Sequence, residues 1–267
     1  MSSILAIDAA WTAHEPSGVA LLHQIQGVWH CSALAPSYAD FIGLSNGTPV
    51  NWFAPQIAGN HPNVLLILQA ASILLGGYQP DLVVIDMPVA TVPIVGRRVA
   101  DNLISQHYGG QGCSCHTPSP ARPGPLGAQL SAAFLGSGYP IATTATNAGT
   151  LSHMLEVYPH PALLTLMNTN YRYPYKVSKS RRLWPGTTVP VRINLLLQQF
   201  GLLLTALNGQ IHGINIPLPV PQNVTTLTGL KRYEDALDAL VSAWVGCLYL
   251  AGNVQSFGDN TSAIWVP

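Results

Sequence analysis

Leu82-Val83-Val84-Ile85-Asp86-Met87-Pro88 decides how this chain folds. The run of four apolar residues, three of them β-branched, is short and does not alternate, which marks a central strand covered on both faces. Pro88 has no N–H to give a ladder, so the strand ends there and Asp86 stands at its end. Ile4-Leu5-Ala6-Ile7-Asp8 repeats the form near the N-terminus. An ionised carboxylate at the end of a buried strand is costly unless a cation shares the site. With only 11 Asp and Glu residues in 267, two such placements suggest divalent metal and phosphoryl-transfer chemistry.

Val19 to Gln24 and Val28 to Ser32 read as a hairpin turning at Gln26-Gly27. A loop rich in Pro, Gly and Asn runs from about Ala35 to Pro62. Asn63 caps a helix that reaches Leu75 and stops at Gly76-Gly77, and this helix is expected to be buried. Further helices are expected over Arg98 to Tyr108, Gly127 to Leu135, Pro161 to Met167, Pro190 to Leu207 and Lys231 to Leu250. Ser152 to Tyr158 and Ala263 to Val266 read as strands, and Gln111 to Gly127 as loop. The order predicts an α/β fold: a mixed sheet, antiparallel at its start, then alternating helix and strand with helices on its faces. Residues 1–267 read as one domain with insertions around 35–62 and 109–150. In such sheets ligands sit beyond the ends of central strands, where Asp8 and Asp86 lie.

Asp235 and Asp238 are spaced i, i+3 and share one face of the last helix. Asp235 is expected in its first turn, where the macrodipole favours negative charge. Ala239, Leu240, Val241, Ala243 and Trp244 follow, so that helix is largely buried. Hard carboxylate oxygens suit Mg2+ or Mn2+ rather than zinc or copper. Two such ions would activate water and stabilise a leaving oxygen in phosphodiester hydrolysis. Asp8 and Asp238 are expected to hold the ions, with Asp86 and Asp235 completing the ligand set. Glu156, near the end of a late strand, is a fifth ligand, a supporting partner or a base. Arg97, Arg98 and Lys176 are the candidate phosphate holders.

Composition bounds the rest. Net charge is zero and charged residues make up 8%, which argues against avid nonspecific nucleic-acid binding, though basic residues cluster between Arg172 and Arg182. Hydrophobic content of 48% excludes a disordered chain and favours self-association into a homo-oligomer. No uninterrupted apolar run has the roughly 18 residues of a membrane span. No basic segment precedes an apolar one at the N-terminus, so cytoplasm is the expected compartment. Cys31, Cys113, Cys115 and Cys247 are too irregular for a disulfide framework. Cys113 and Cys115 would need His107 and His116 to close a zinc site.

Asp8, Asp86 and Asp235-x-x-Asp238 together resemble the acidic pattern of ribonuclease-H-like nucleases, most nearly Holliday-junction resolvases of the RuvC type. Ile85-Asp86-Met87-Pro88, Arg97-Arg98 with Asp101, His116-Thr117-Pro118, Glu156-Val157-Tyr158-Pro159, Tyr175-Lys176 and Asp235-Ala236-Leu237-Asp238-Ala239 are similar to a predicted nuclease family, domain of unknown function 429. The resemblance implies a ribonuclease-H-like fold, nuclease activity and the four aspartates as metal positions. Asp86 departs from the resolvase pattern, which has Glu there, and is one methylene shorter. Neutral charge departs from the basic resolvases and points away from a long duplex substrate. Two other readings keep the residues and change the function. An actin-like or kinase-type ATP-binding phosphotransferase shares the sheet order, but Ala9-Ala10-Trp11 follows Asp8 where glycines would cradle phosphate. A scaffold with a vestigial site would suit the 22 prolines and would not bind manganese at Asp8.

Overall fold

The computed structural model describes residues 2–54 and 57–267. Strands β1 (Ser3–Asp8), β2 (Gly18–Ile25), β3 (Val28–Ala35), β4 (Leu82–Ile85), β5 (His153–Val157), β6 (Gln255–Gly258) and β7 (Ala263–Val266) build one sheet in the order β3-β2-β1-β4-β5-β7-β6. The first three strands are antiparallel neighbours. Strands β1, β4, β5 and β7 then run parallel, and β6 closes the edge antiparallel to β7. The helices are α1 (Tyr38–Ser45), α2 (Val64–Leu74), α3 (Val99–Tyr108), α4 (Pro125–Gly136), α5 (Pro159–Leu166), α6 (Ser180–Leu183), α7 (Val189–Asn208) and α8 (Lys231–Leu250). This is an α/β mixed sheet with helices on both faces, consistent with a ribonuclease-H-like architecture.

Side chains alternate across a strand, so each run feeds two cores. Ile4, Ala6, Leu82 and Val84 pack with apolar residues of α5, α7 and α8 on one face. Leu5, Ile7, Val83 and Ile85 pack with α1, α2 and α4 on the other. A smaller cluster joins Ala100 and Ile104 of α3 to Phe257, Ile264 and Val266. Asp81 sets the β1–β4 register: its Oδ2 accepts from the Ser3 amide at 2.8 Å and the Ser3 hydroxyl at 2.9 Å. Helix α8 lies flat on the sheet because position 246 is glycine; a Cβ there would stand 2.8 Å from Val84 Cγ2.

Several expectations change. The 35–62 stretch is not all loop: Ser37 caps α1, accepting from the Asp40 amide at 3.0 Å, and Tyr38 and Phe41 bury against the sheet. Residues 55 and 56 of that stretch lie outside the described residues. Helix α2 has the expected Asn63 cap but is buried on one side only, since Leu65 is 67% exposed and Ile73 59%. Strand β6 has no apolar run and was not expected. Among the described residues α7 alone has the length and apolar composition to cross a membrane; it buries Ile193, Leu196, Phe200, Leu203 and Leu207 in the core. All four cysteines are free thiols.

Candidate metal centre

The last register pair of the central seam is Ile7 with Ile85. The Asp86 amide then donates to the Ile7 carbonyl at 2.9 Å, which carries Asp8 and Asp86 out of the sheet side by side. Alternation places both carboxylates on the face that α8 covers. Asp235 and Asp238 descend from α8 onto the same spot. Gly18 permits that approach. It pairs with Asp8 across the antiparallel ladder, and a Cβ on it would stand 2.1 Å from the Asp235 carbonyl oxygen. One ligand oxygen from each of Asp8, Asp235 and Asp238 lies within 4.8 Å of the others, the single such His/Cys/Asp/Glu cluster among the described residues.

Two lysines offset part of the charge of the group, and a tyrosine donates a hydrogen bond to it. Asp238, fully buried, accepts from the Tyr175 hydroxyl and the Lys176 ammonium. Lys176 also reaches Glu234 at 3.4 Å. Lys231 donates to Glu234 at 2.9 Å and to Asp235 Oδ1. Glu234 Oε2 takes the Val177 amide at 2.6 Å. Five carboxylates, those of Asp8, Asp86, Glu234, Asp235 and Asp238, thus share two ammonium groups. The remaining oxygen of Asp235, Oδ2, is buried without a partner.

The proton affinities follow from that imbalance. Burial, then repulsion from Asp238, lifts Asp8 from 3.8 to about 7 against the pull of Lys176 and Lys231. Burial and Asp8 raise Asp86 well above the usual carboxylate range. Burial raises Asp235 in the same way, with Lys231 opposing and Asp8 adding. Glu234 is the exception: burial pushes up, but Lys176 and Lys231 outweigh it and leave its pKa below the usual value. Both lysines are held above the usual ammonium range, because the carboxylates outweigh their burial.

The other expected residues have different surroundings. Leu155 and Val157 face the α8 side, so alternation turns Glu156 to the opposite face from Asp8 and Asp86. There its two oxygens take Arg98 Nη1 at 2.5 Å and Nη2 at 2.6 Å, and Oε2 also takes the Val89 amide at 3.0 Å. Arg98 spends its remaining donors on the Val89 carbonyl at 2.7 Å and on Asp101 at 2.7 and 3.1 Å. This buried fork ties α3 to β5 and to the loop after Asp86, and leaves Arg98 no N–H for phosphate. Arg97 is spent likewise, on Asn102, Thr117, Ser105 and the carbonyls of Asp101 and Cys115. Lys176 lines the cleft, with its ammonium committed to Asp238 and Glu234. Reading the sequence alone gave no site role to Glu234, Lys231 or Tyr175. The first-turn acid of α8 is Glu234, and Asp235 begins the second turn. The i, i+3 and i, i+4 spacing of Lys231 to Glu234 and Asp235 was the available signal.

Asp8, Asp86 and Asp235 open into a cleft of about 1090 Å3. Its walls come from the segment after β1, the loops after β4 and β5, and the N-terminal end of α8, the usual ligand position for such sheets. The family model described as Protein of unknown function (DUF429) matches residues 40–263, and the chain belongs to that family. Searches of the curated proteins and of the solved structures find no match.

Proposed function

We propose that this member of the family is a divalent-metal-dependent phosphodiesterase, a nuclease of the ribonuclease-H-like kind with a RuvC-type acidic pattern. The observation that carries the reading is the buried, unpartnered Oδ2 of Asp235 within the Asp8–Asp235–Asp238 cluster. A buried acceptor without a partner is costly, and a cation removes the cost. The donor set also fits: all ligands are hard oxygens, suited to Mg2+ or Mn2+. Three carboxyls in excess of the lysines, each with raised proton affinity, can exchange protons for a divalent ion.

Asp8, Asp235 and Asp238 would hold the ion, with Asp86 beside Asp8 supplying a fourth carboxylate. When bound, the ion would lower the pKa of an attacking water and offset charge on the leaving oxygen. The chain's own part is positioning. Tyr175 and Lys176 fix the Asp238 carboxylate, Lys231 fixes Asp235, and Gly18 lets α8 bring both beside Asp8. The raised pKa of Asp8 means that it yields its proton as the cation arrives, so binding is proton-coupled.

The test is hydrolysis of single-stranded DNA, RNA and branched DNA with manganese or magnesium. Cleavage that disappears with chelator and falls by about 100-fold or more in Asp8→Asn is expected, since metal assistance is worth several kcal/mol. Manganese binding without cleavage of any phosphodiester would contradict the proposal.

A further inference from the structure

The same cleft is also lined by cations that belong to neither carboxylate cluster. His116 and Arg122, from the connection between α3 and α4, and Arg172 and Lys179, from the connection between α5 and α6, line it. Among the described residues, none of the three cations forms an ion pair. The Arg122 guanidinium lies over the Trp11 ring, 5.9 Å from its centroid. Arg172 donates to the Gly112 carbonyl at 3.5 Å and to Nε2 of His160 at 2.5 Å. His160 is buried, and its Nδ1, which then carries the ring proton, has no partner. Burial first, then Lys179, Arg172 and Arg122, lowers the pKa of His116; these three charges converge on its imidazole. Three cations without an ion-pair partner among the described residues, gathered about one imidazole in a concave site, focus a field for anions there.

We propose that His116, Arg122, Arg172 and Lys179 form an anion subsite that takes a phosphate of the substrate other than the one attacked at the carboxylates. Carboxylates repel a phosphate until a cation covers them, so an anchor elsewhere in the cleft is needed to bring an anionic substrate in. A cleft with a cation-binding site and a phosphate-binding site selects a ligand with at least two phosphates in a chain, a short single strand. Trp11 gives the subsite a flat wall on which a base can stack. The identity of the anion as substrate rests on the phosphodiesterase reading; the existence of the subsite does not.

The experiment uses short thymidylate oligomers, with and without a 5′-phosphate, bound to the full chain in chelator and followed by fluorescence anisotropy across a salt series. Arg122 is exposed and Lys179 half-buried, so Arg122→Gln with Lys179→Gln spares the fold. Arg181→Gln with Arg182→Gln removes the same charge from exposed positions outside the cleft. The first pair is expected to weaken binding at least about tenfold, the loss of one charged hydrogen bond, and to reduce the salt slope by about 0.7 for each phosphate that is no longer neutralised. The second pair should change neither. Loss for both oligomers assigns an internal diester to the subsite, and loss for the 5′-phosphorylated one alone assigns a terminal monoester. Equal binding by wild type and the cleft variant, or equal losses in both variants, would overturn the subsite. Manganese titration of the same proteins separates the two ideas: an absent metal response removes the hydrolytic reading, while the oligomer result still decides the subsite.

Discussion

Two clusters of buried charge stand near the C-terminal ends of the parallel strands, and they are balanced differently. At Arg98 all five guanidinium N–H groups have acceptors, and both oxygens of Glu156 are engaged. At Asp8 five carboxylates share two lysines, and one oxygen of Asp235 has no partner. The first arrangement fixes α3 and the loop that follows β4. The second holds more carboxyls than cations, and the proton affinity of Asp8, Asp86 and Asp235 rises accordingly. The contrast separates a carboxylate whose oxygens are all engaged by donors from one left with an unpartnered acceptor, which burial alone does not do.

The sharpest way to break the contrast is Arg98→Met. It leaves Glu156 and Asp101 buried without their cation and should cost about 3–5 kcal/mol, measured by urea unfolding. A cost under about 1 kcal/mol would mean that the fork is not a structural tie. Gly18→Ala comes next. The added Cβ would press on the Asp235 carbonyl, so α8 must move; overpacking of this kind costs about 1–3 kcal/mol. It should also weaken manganese binding, whereas Arg98→Met, if folded, should weaken it less. Unchanged metal affinity in Gly18→Ala would show that the α8 approach does not set the site.

A smaller, graded effect should appear with pH. Folded Asp8 keeps its proton up to pH about 7, against 3.8 for an ordinary aspartate. Between those values the folded state binds more protons than the unfolded, so Asp8 makes stability fall as pH rises. Glu234 acts in the opposite sense lower down. Its lowered pKa gives stability that is present above 4.5 and lost as pH falls through the folded value. Urea unfolding in chelator, stepped from acid to neutral pH, should show a decline that is shallower in Asp8→Asn. Identical profiles for the two proteins would refute the assignment.

Much of the carboxylate cluster was legible because its parts are local. Two apolar runs each end in aspartate, and Asp235 and Asp238 keep helical spacing. The hairpin, the Asn63 cap and α8 were legible for the same reason. The pairings were not. Lys176 meets Asp238 and Arg98 meets Glu156 through tertiary structure, and no local period records that. Glu156 shows the limit well: the sequence places it at a strand end, but the face it takes depends on register against β4. Helix α1 and strand β6 are short and carry weak apolar patterns, so their neighbours rather than their residues define them.

The decisive measurement is a calorimetric titration of manganese into the wild type and into Asp8→Asn with Asp235→Asn, in buffers of different ionisation enthalpy. Binding near neutral pH with proton release, lost in the variant by more than the roughly 10–100-fold that removal of an outer partner costs, is the predicted result. No heat of binding in the wild type at millimolar manganese, with the protein folded, would contradict it and leave the Asp8 cluster as a buried group of carboxyls that titrate without a cation.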